Sequence, residues 1–362
     1  MMKKKISLFL TALLAVVMLG GMTSCNSDDN EENVSNMERY QREVEQSVRS
    51  QKKHNKAILL VAFGSTWQKA FDSFDATVEA YKQAFPDYDV FLSFSSAICI
   101  NRSAAGQHTK PRNYYAPLFW LQAFGKVKYA EIIVQSLQVI PGEEYGRVVN
   151  AVKDFANNAN GDLDDDYLNP EKGNLVLKIG LPLMASADED VANLAKALHE
   201  NFGAMAAKGT VALMGHGNPD EYDTYRANIR YTQLEEALQQ INKNYFVGTV
   251  DMMHNFKTDV LKRMRANGIN DGTVYCVPLM SIAGDHAHND MAGDDAEFNY
   301  NKENGEMEDT SWKKYFESEK YNCNNETMIL EGLLDFKNIR NLWLNHTKEA
   351  VVVDYYHTKN AE

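Results

Sequence analysis

Three residues of types that bind metal stand in settings that favour it. His216 lies between two glycines in LMGHGNP (213–219), and Asp251 follows an apolar run in VGTVDMMH (247–254). His286 lies in VPLMSIAGDHAHNDM (277–291), where Asp285, His286, His288 and Asp290 crowd together after an Ala-Gly pair. Two imidazoles and a carboxylate suit a divalent cobalt, iron, nickel or zinc ion, with the carboxylate offsetting charge. Singly, each is an ordinary loop residue; three at comparable strand ends mark a site. Glycines beside His216 also let the backbone approach a flat ligand closely.

The elements that must position them follow from the apolar pattern. KAILLVAFGST (56–66) gives a strand and a small-residue turn, and Phe71, Phe74, Val78, Tyr81 and Phe85 then recur at helical spacing. Strand, turn and helix open a βαβ unit. DYDVFLSFSSAI, AEIIVQSLQVIPGEEY and NLVLKIGLPLM give three more strands, and Ser186 precedes an acidic first turn of a helix. The second half repeats this order: GTVALMGHGNP matches AILLVAFGST, NYFVGTVDMM matches DYDVFLSFSSAI, and GTVYCVPLMSIAGDHAHND matches AEIIVQSLQVIPGEEYGRV. The offset of roughly 140 to 155 residues suits two similar domains rather than a solenoid. The expected fold is therefore α/β, with two similar open parallel-sheet domains related by a pseudo-twofold repeat and a cleft between them. The N-terminal domain is expected over 57–190 and the C-terminal domain, carrying the metal site, over 191–350. In open parallel sheets ligands sit beyond the carboxyl ends of the strands, where all three candidates fall.

The neighbouring polar residues receive lesser roles. Asp285 is expected to bond a loop amide or to orient His286, and His288 and Asp290 to flank the site or face solvent. His254 is a poorer candidate, and His54, His108, His199, His346 and His357 read as surface residues. Glu143 and Glu144 read as first-turn acids of a helix rather than as groups facing a ligand. Dinucleotide, P-loop, nucleophile-elbow and zincin motifs are absent.

Composition bounds the partners. The 362 residues carry a net charge of -13, which argues against nucleic acid and against an anionic membrane surface. Cys99, Cys276 and Cys323 show no CxxC spacing, so neither a zinc site nor a disulfide framework is indicated. The stretches 157–174 and 297–312 read as surface loops, and a homo-oligomer is compatible with the composition. At the N-terminus Lys3, Lys4 and Lys5 precede an apolar run of signal-peptide length, followed by MTSC. Thr23, Ser24 and Cys25 resemble a bacterial lipobox, which implies lipidation at Cys25 after removal of residues 1–25. The chain is then an exported, membrane-anchored lipoprotein, periplasmic or at the cell surface, touching membrane only through its lipid. Residues 26–56 are expected as a polar tether with a surface helix.

The motifs LLVAFGST, VQSLQVIPGEEY, ALMGHGN, VGTVD and VPLMSIAGDHAHNDMAGDD, in that order, resemble the anaerobic sirohydrochlorin cobaltochelatases, relatives of class II ferrochelatase. The resemblance runs from about Ala57 to about Asn345 and implies a chelatase-like fold with a tetrapyrrole cleft. It implies that His216 and His286 are catalytic and bind metal together with Asp251, which stands where the family usually has glutamate. Gly64, Ser65, Gly215, Gly217 and Gly284 are then expected against the tetrapyrrole. The implied activity is insertion of Co2+, as substrate metal, into sirohydrochlorin, with Fe2+ or Ni2+ as other candidates and no organic cofactor. The export signal supports a rival: a haem- or tetrapyrrole-binding lipoprotein that holds haem or removes its iron. Gln138 offers no axial ligand to such a haem.

Overall fold

The computed structural model describes residues 36–223, 225–294 and 310–356. The chain runs through α1 (Asn36–Gln51), β1 (Lys56–Ala62), α2 (Gln68–Ala84), β2 (Asp89–Phe94), α3 (Ala97–Ala104) and α4 (Pro117–Lys126). It continues with β3 (Glu131–Ser136), α5 (Glu143–Ala156), α6 (Asp165–Leu168), β4 (Val176–Gly180) and α7 (Asp190–Ala206). The second half contains β5 (Thr210–Gly215), α8 (Ile229–Ile241), β6 (Tyr245–Thr249), α9 (Lys257–Ala266) and β7 (Val274–Pro278). Then come α10 (Trp312–Ser318), α11 (Lys337–Lys348) and β8 (Val351–Val352).

Two sheets result, ordered β2-β1-β3-β4-β8 and β6-β5-β7. Every pairing is parallel except β4 with β8. The repeat is thus visible as the matching orders β2-β1-β3 and β6-β5-β7. It is incomplete: among the described residues the second sheet has no counterpart of β4, and beside β7 lie isolated bridges at Thr273–Asn322 and Cys276–Met328.

β1 is apolar from Ala57 to Ala62 because both of its faces are covered there. Ile58, Leu60 and Ala62 face a central core that also takes in Val211 and Leu213 of β5, Val247 of β6 and Val277 of β7. Ala57, Leu59 and Val61 face an outer core with Val44, Val48, Leu121 and Phe124. The second sheet has its own outer core, built from Ala212, Met214, Phe246, Met264, Cys276, Trp312 and Phe316. The two halves are therefore lobes sharing one core, and the described residues from Tyr40 onward form a single compact unit.

Several expectations change here. Residues 40–51 of the expected tether belong to the fold: Val44 and Val48, four apart on one helical face, are fully buried in the outer core of the first lobe. The stretch 157–174 contains α6, whose buried Tyr167 donates to the Tyr129 carbonyl at 2.7 Å. α11, inside the span expected for the C-terminal domain, packs on β3 and β4 of the first sheet, and β8 extends that sheet. His346 of α11 is mostly buried rather than a surface residue. Residues 1–35, including Cys25, and most of 297–312 lie outside the described residues. Among the described residues no helix is long and apolar enough to cross a membrane.

Candidate metal centre

The carboxyl ends of the strands open into one cleft between the lobes, a cavity of about 270 Å³ whose open mouth brings the empty space to about 1220 Å³. From the first lobe it is lined by Phe63, Gly64 and Ser65 after β1, Ile98 and Arg102 on α3, and Gln138 and Glu144 around the start of α5. From the second lobe come His216, Gly217 and Asn218 after β5, and Ile282, Gly284, Asp285 and His286 after β7. Gly215 is not among the lining residues: it lies under the ring of Tyr231, which a Cβ there would meet at 2.4 Å. The cleft wall needs glycine at two turns. Gly64 has φ +116°, with a would-be Cβ 2.7 Å from Cys99 Cβ, and Gly217 has φ +79°, with a would-be Cβ 2.8 Å from the Met252 nitrogen.

His216 and His286 meet above this cleft. Their ring centroids are 4.8 Å apart, edge to face at 84°. The loop after β5 is stitched to that after β6 by bonds from the Val250 and Asp251 amides to the His216 carbonyl, at 3.1 and 2.8 Å. This brings Asp251 Oδ2 within 3.6 Å of His216 Nδ1. Backbone geometry also fixes the tautomer. His216 Nδ1 lies 2.7 Å from the Gly217 carbonyl oxygen, which can only accept, so Nδ1 carries the proton and Nε2 keeps its lone pair. His286 precedes a single wide turn over Ala287–Met291, which puts Asp290 on its face four residues on. Its Nδ1 donates to Asp290 Oδ2 at 2.6 Å, again leaving Nε2 free.

The two rings differ in basicity. Burial first, then the neighbouring His286, pull His216 below the ordinary imidazole value, against a weaker opposing pull from Asp251. Burial also acts downward on His286, but the bond and charge of Asp290, with Asp251 and Asp285, carry it above the ordinary value. The two rings thus differ in how firmly they hold a proton, His286 more firmly than His216. Across the cleft, Glu144 is raised above the usual carboxylate range, chiefly by burial and partly by Glu143, while Arg147 and the Ser95 hydroxyl oppose this.

The expected three-ligand set is not assembled. Among the described residues no group of three His, Cys, Asp or Glu side chains is placed to hold a metal ion. Asp251 makes its recorded contact with the protonated edge of His216 rather than with Nε2, so it acts there as a charge partner. Two imidazole lone pairs with open positions around them suit an ion that must be received and passed on.

A family model described as Cobalt chelatase (CbiK) matches residues 56–352. The chain belongs to the cobalt chelatase family. The sirohydrochlorin cobaltochelatase CbiKC of Nitratidesulfovibrio vulgaris is 27% identical over 296 residues, covering 82% of this chain and 90% of its own length. The sirohydrochlorin cobaltochelatase of Salmonella typhimurium is 28% identical over 301 residues, covering 82% and 96%. The solved structure of SirB from Bacillus subtilis with Fe3+ aligns with a TM-score of 0.47 at 16% identity, over 85% of this chain and 98% of that one.

Within the family frame, some cleft residues lay beyond the sequence reading. Glu144 faces the cleft although its place in a helix first turn supplied a sufficient local reason for an acid. The internal repeat held the signal: PGEE aligns with AGDH, so Glu144 is the pseudo-twofold counterpart of His286, while AFGS aligns with GHGN, so Phe63 is that of His216 and the positive-φ Gly64 that of Gly217. His288 and His108 do not face solvent alone, since both stack on Trp67. Asp285 accepts from the Trp67 indole rather than from a loop amide.

Proposed function

We propose that this protein inserts Co2+ into sirohydrochlorin, or a closely similar tetrapyrrole, releasing two pyrrole protons. The observation that carries this reading is the pair of Nε2 lone pairs, from separate strand ends, presented 4.8 Å apart by ring centroid on the wall of an interlobe cleft. Family membership and the names of the two cobaltochelatase relatives support it. His216 and His286 take the incoming ion, and a histidine that releases it can accept a pyrrole proton on the same nitrogen, not both at once. Asp251 offsets the charge at His216 and passes protons outward. Gly64, Ser65, Gly217 and Gly284 leave the macrocycle room to lie flat. Export and lipidation at Cys25 belong to the same proposal, resting on the N-terminal pattern alone.

The test is to follow the absorption spectrum of sirohydrochlorin with Co2+ and purified protein, and in parallel that of haem. Insertion that is lost in His216→Ala and in His286→Ala supports the reading. A stable haem complex without any insertion overturns it in favour of haem capture. One observation favours that second reading: Phe63, Ile98, Val139, Ile140, Leu279 and Ile282 make the cleft largely apolar, with Arg102 its single lining Lys or Arg among the described residues.

A further inference from the structure

Trp67 makes contacts that forming the cleft floor does not require. It follows Gly64, Ser65 and Thr66 on the first lobe, yet its partners stand on the segment of the second lobe that carries His286. The indole Nε1–H donates to Asp285 Oδ1 at 2.6 Å. The same indole stacks on His288, with centroids 3.7 Å apart and planes 8° from parallel. It also stacks on His108 at 4.4 Å. His108 is held at φ +63°, with Nδ1 2.9 Å from the Thr66 hydroxyl. Arg102 of the first lobe adds a looser contact to Asp285 at 3.6 Å.

The residue before His286 and the one two after it are thus both fastened to a single side chain of the opposite lobe. The His286 ring bonds within its own turn, to Asp290, and otherwise meets His216 of the same lobe edge to face. We propose that Trp67 is a positioning residue: it clasps the His286 segment across the cleft and holds the metal donor of one lobe in register with the glycine floor of the other. This rests on the chelatase reading. A charge-assisted bond of this length fixes direction as well as distance, and the parallel ring stack restrains the segment against sliding. Without the clasp, the His286 turn is left to its local bond with Asp290, and a displacement of about 1 Å at a reacting centre can cost on the order of a hundredfold in rate.

The test uses Trp67→Phe, which keeps a stacking ring and removes the N–H, with Asp285→Ala and Asp285→Asn. In Trp67→Phe, Co2+ insertion at saturating tetrapyrrole should fall about tenfold, with KM for the tetrapyrrole within about twofold. Calorimetric binding of Co2+ alone should weaken about fivefold in Trp67→Phe and in Asp285→Ala, and the double variant should be little worse than either. Asp285→Asn keeps an acceptor oxygen and should stay closer to wild type than Asp285→Ala. Wild-type Co2+ affinity and turnover in Trp67→Phe, or a fall in Tm with both unchanged, overturns the clasp. If wild type binds Co2+ yet inserts it into no tetrapyrrole, the chelatase reading fails, and the calorimetric comparison still decides the clasp. If wild type binds no Co2+, both fall together.

Discussion

Two His–Asp pairs in this molecule are alike in their short imidazole–carboxylate contact and do opposite things. His286 and Asp290 sit on the cleft, with side chains 39% and 41% exposed. His346 and Asp190 join α11 to the start of α7, with side chains 10% and 14% exposed. In the second pair both ring nitrogens are occupied by acceptors: Nε2 lies 3.0 Å from Asp190 Oδ1 and Nδ1 3.2 Å from the Leu181 carbonyl. Both must therefore donate, so the ring is an imidazolium with no lone pair to offer. In the first pair one nitrogen is anchored and the other is left over, facing a second imidazole with the same arrangement. An anchored histidine becomes a site only when its other nitrogen has open space before it.

The largest effect expected from breaking this contrast is on activity at the cleft. His286→Ala should lower the rate of Co2+ insertion by about a hundredfold or more, in line with the loss of a positioned acid–base group. Its Tm should move by no more than about 3 °C, because the side chain is part-exposed and few packing contacts go with it. Stopped-flow spectra of the tetrapyrrole and a thermal melt check the two halves. The mirror experiment is His346→Ala. There insertion should stay near wild type, while stability falls by about 2 kcal/mol, since a mostly buried carboxylate loses a charged partner. Urea unfolding measures this; an activity loss without a stability loss would erase the distinction between the pairs.

The sequence made much of this legible, and unevenly. β1, β3, β5 and β7 stood out because strands buried on both faces are continuous apolar runs, and the internal repeat placed their carboxyl ends on one cleft. His216, Asp251 and His286 were within reach for the same reason: each ends a strand in an open parallel sheet. What escaped depends on contacts distant in the chain. Trp67 and Asp285 are 218 positions apart, and no local pattern joins them. His346 read as a surface residue because α11 returns to the first sheet, a step no periodicity encodes. The helix Asn36–Gln51 looked polar, since only Val44 and Val48 of it are buried. Gly215 resembled its cleft-lining neighbours until Tyr231 was seen to fill the space beside it.

A gentler way to sharpen the contrast is pH. Burial acts to lower His346, but its bond to Asp190 and that carboxylate's charge raise it above the ordinary value. Its contribution to stability is therefore complete below about pH 6.5, the unfolded value, and is lost as pH rises through the higher folded one. Asp190 is held below the usual carboxylate range by His346 and Ser186 despite its burial, so its contribution is present above about pH 4 and fades as pH falls through the folded value. The Tm gap between wild type and His346→Gln should be widest between those limits and narrow on the alkaline side. Co2+ binding at His286 should run the other way, strengthening as pH rises through its raised value, because the ion competes with the proton. Parallel melts and calorimetric titrations across pH 4 to 9 check both signs; curves that move together would contradict the assignment of one pair to structure and the other to metal.

The smallest effect is expected at Asp251. Its carboxylate stops 3.6 Å short of a nitrogen that already carries a proton, so as it stands it supplies charge rather than a bond to the ion. Asp251→Glu adds one methylene of reach on a side chain that is 40% exposed. The longer arm can swing past Nδ1 toward the open space in front of the two Nε2 atoms. Co2+ affinity should then rise by about threefold, whereas Asp251→Asn, which keeps the shape and removes the charge, should weaken it by a similar factor, each near the modest worth of a part-exposed charge contact. Calorimetry with Co2+ alone reads both. Equal affinity in all three proteins would mean that the carboxylate does not act on the metal at all, leaving the two imidazoles as the whole of the centre.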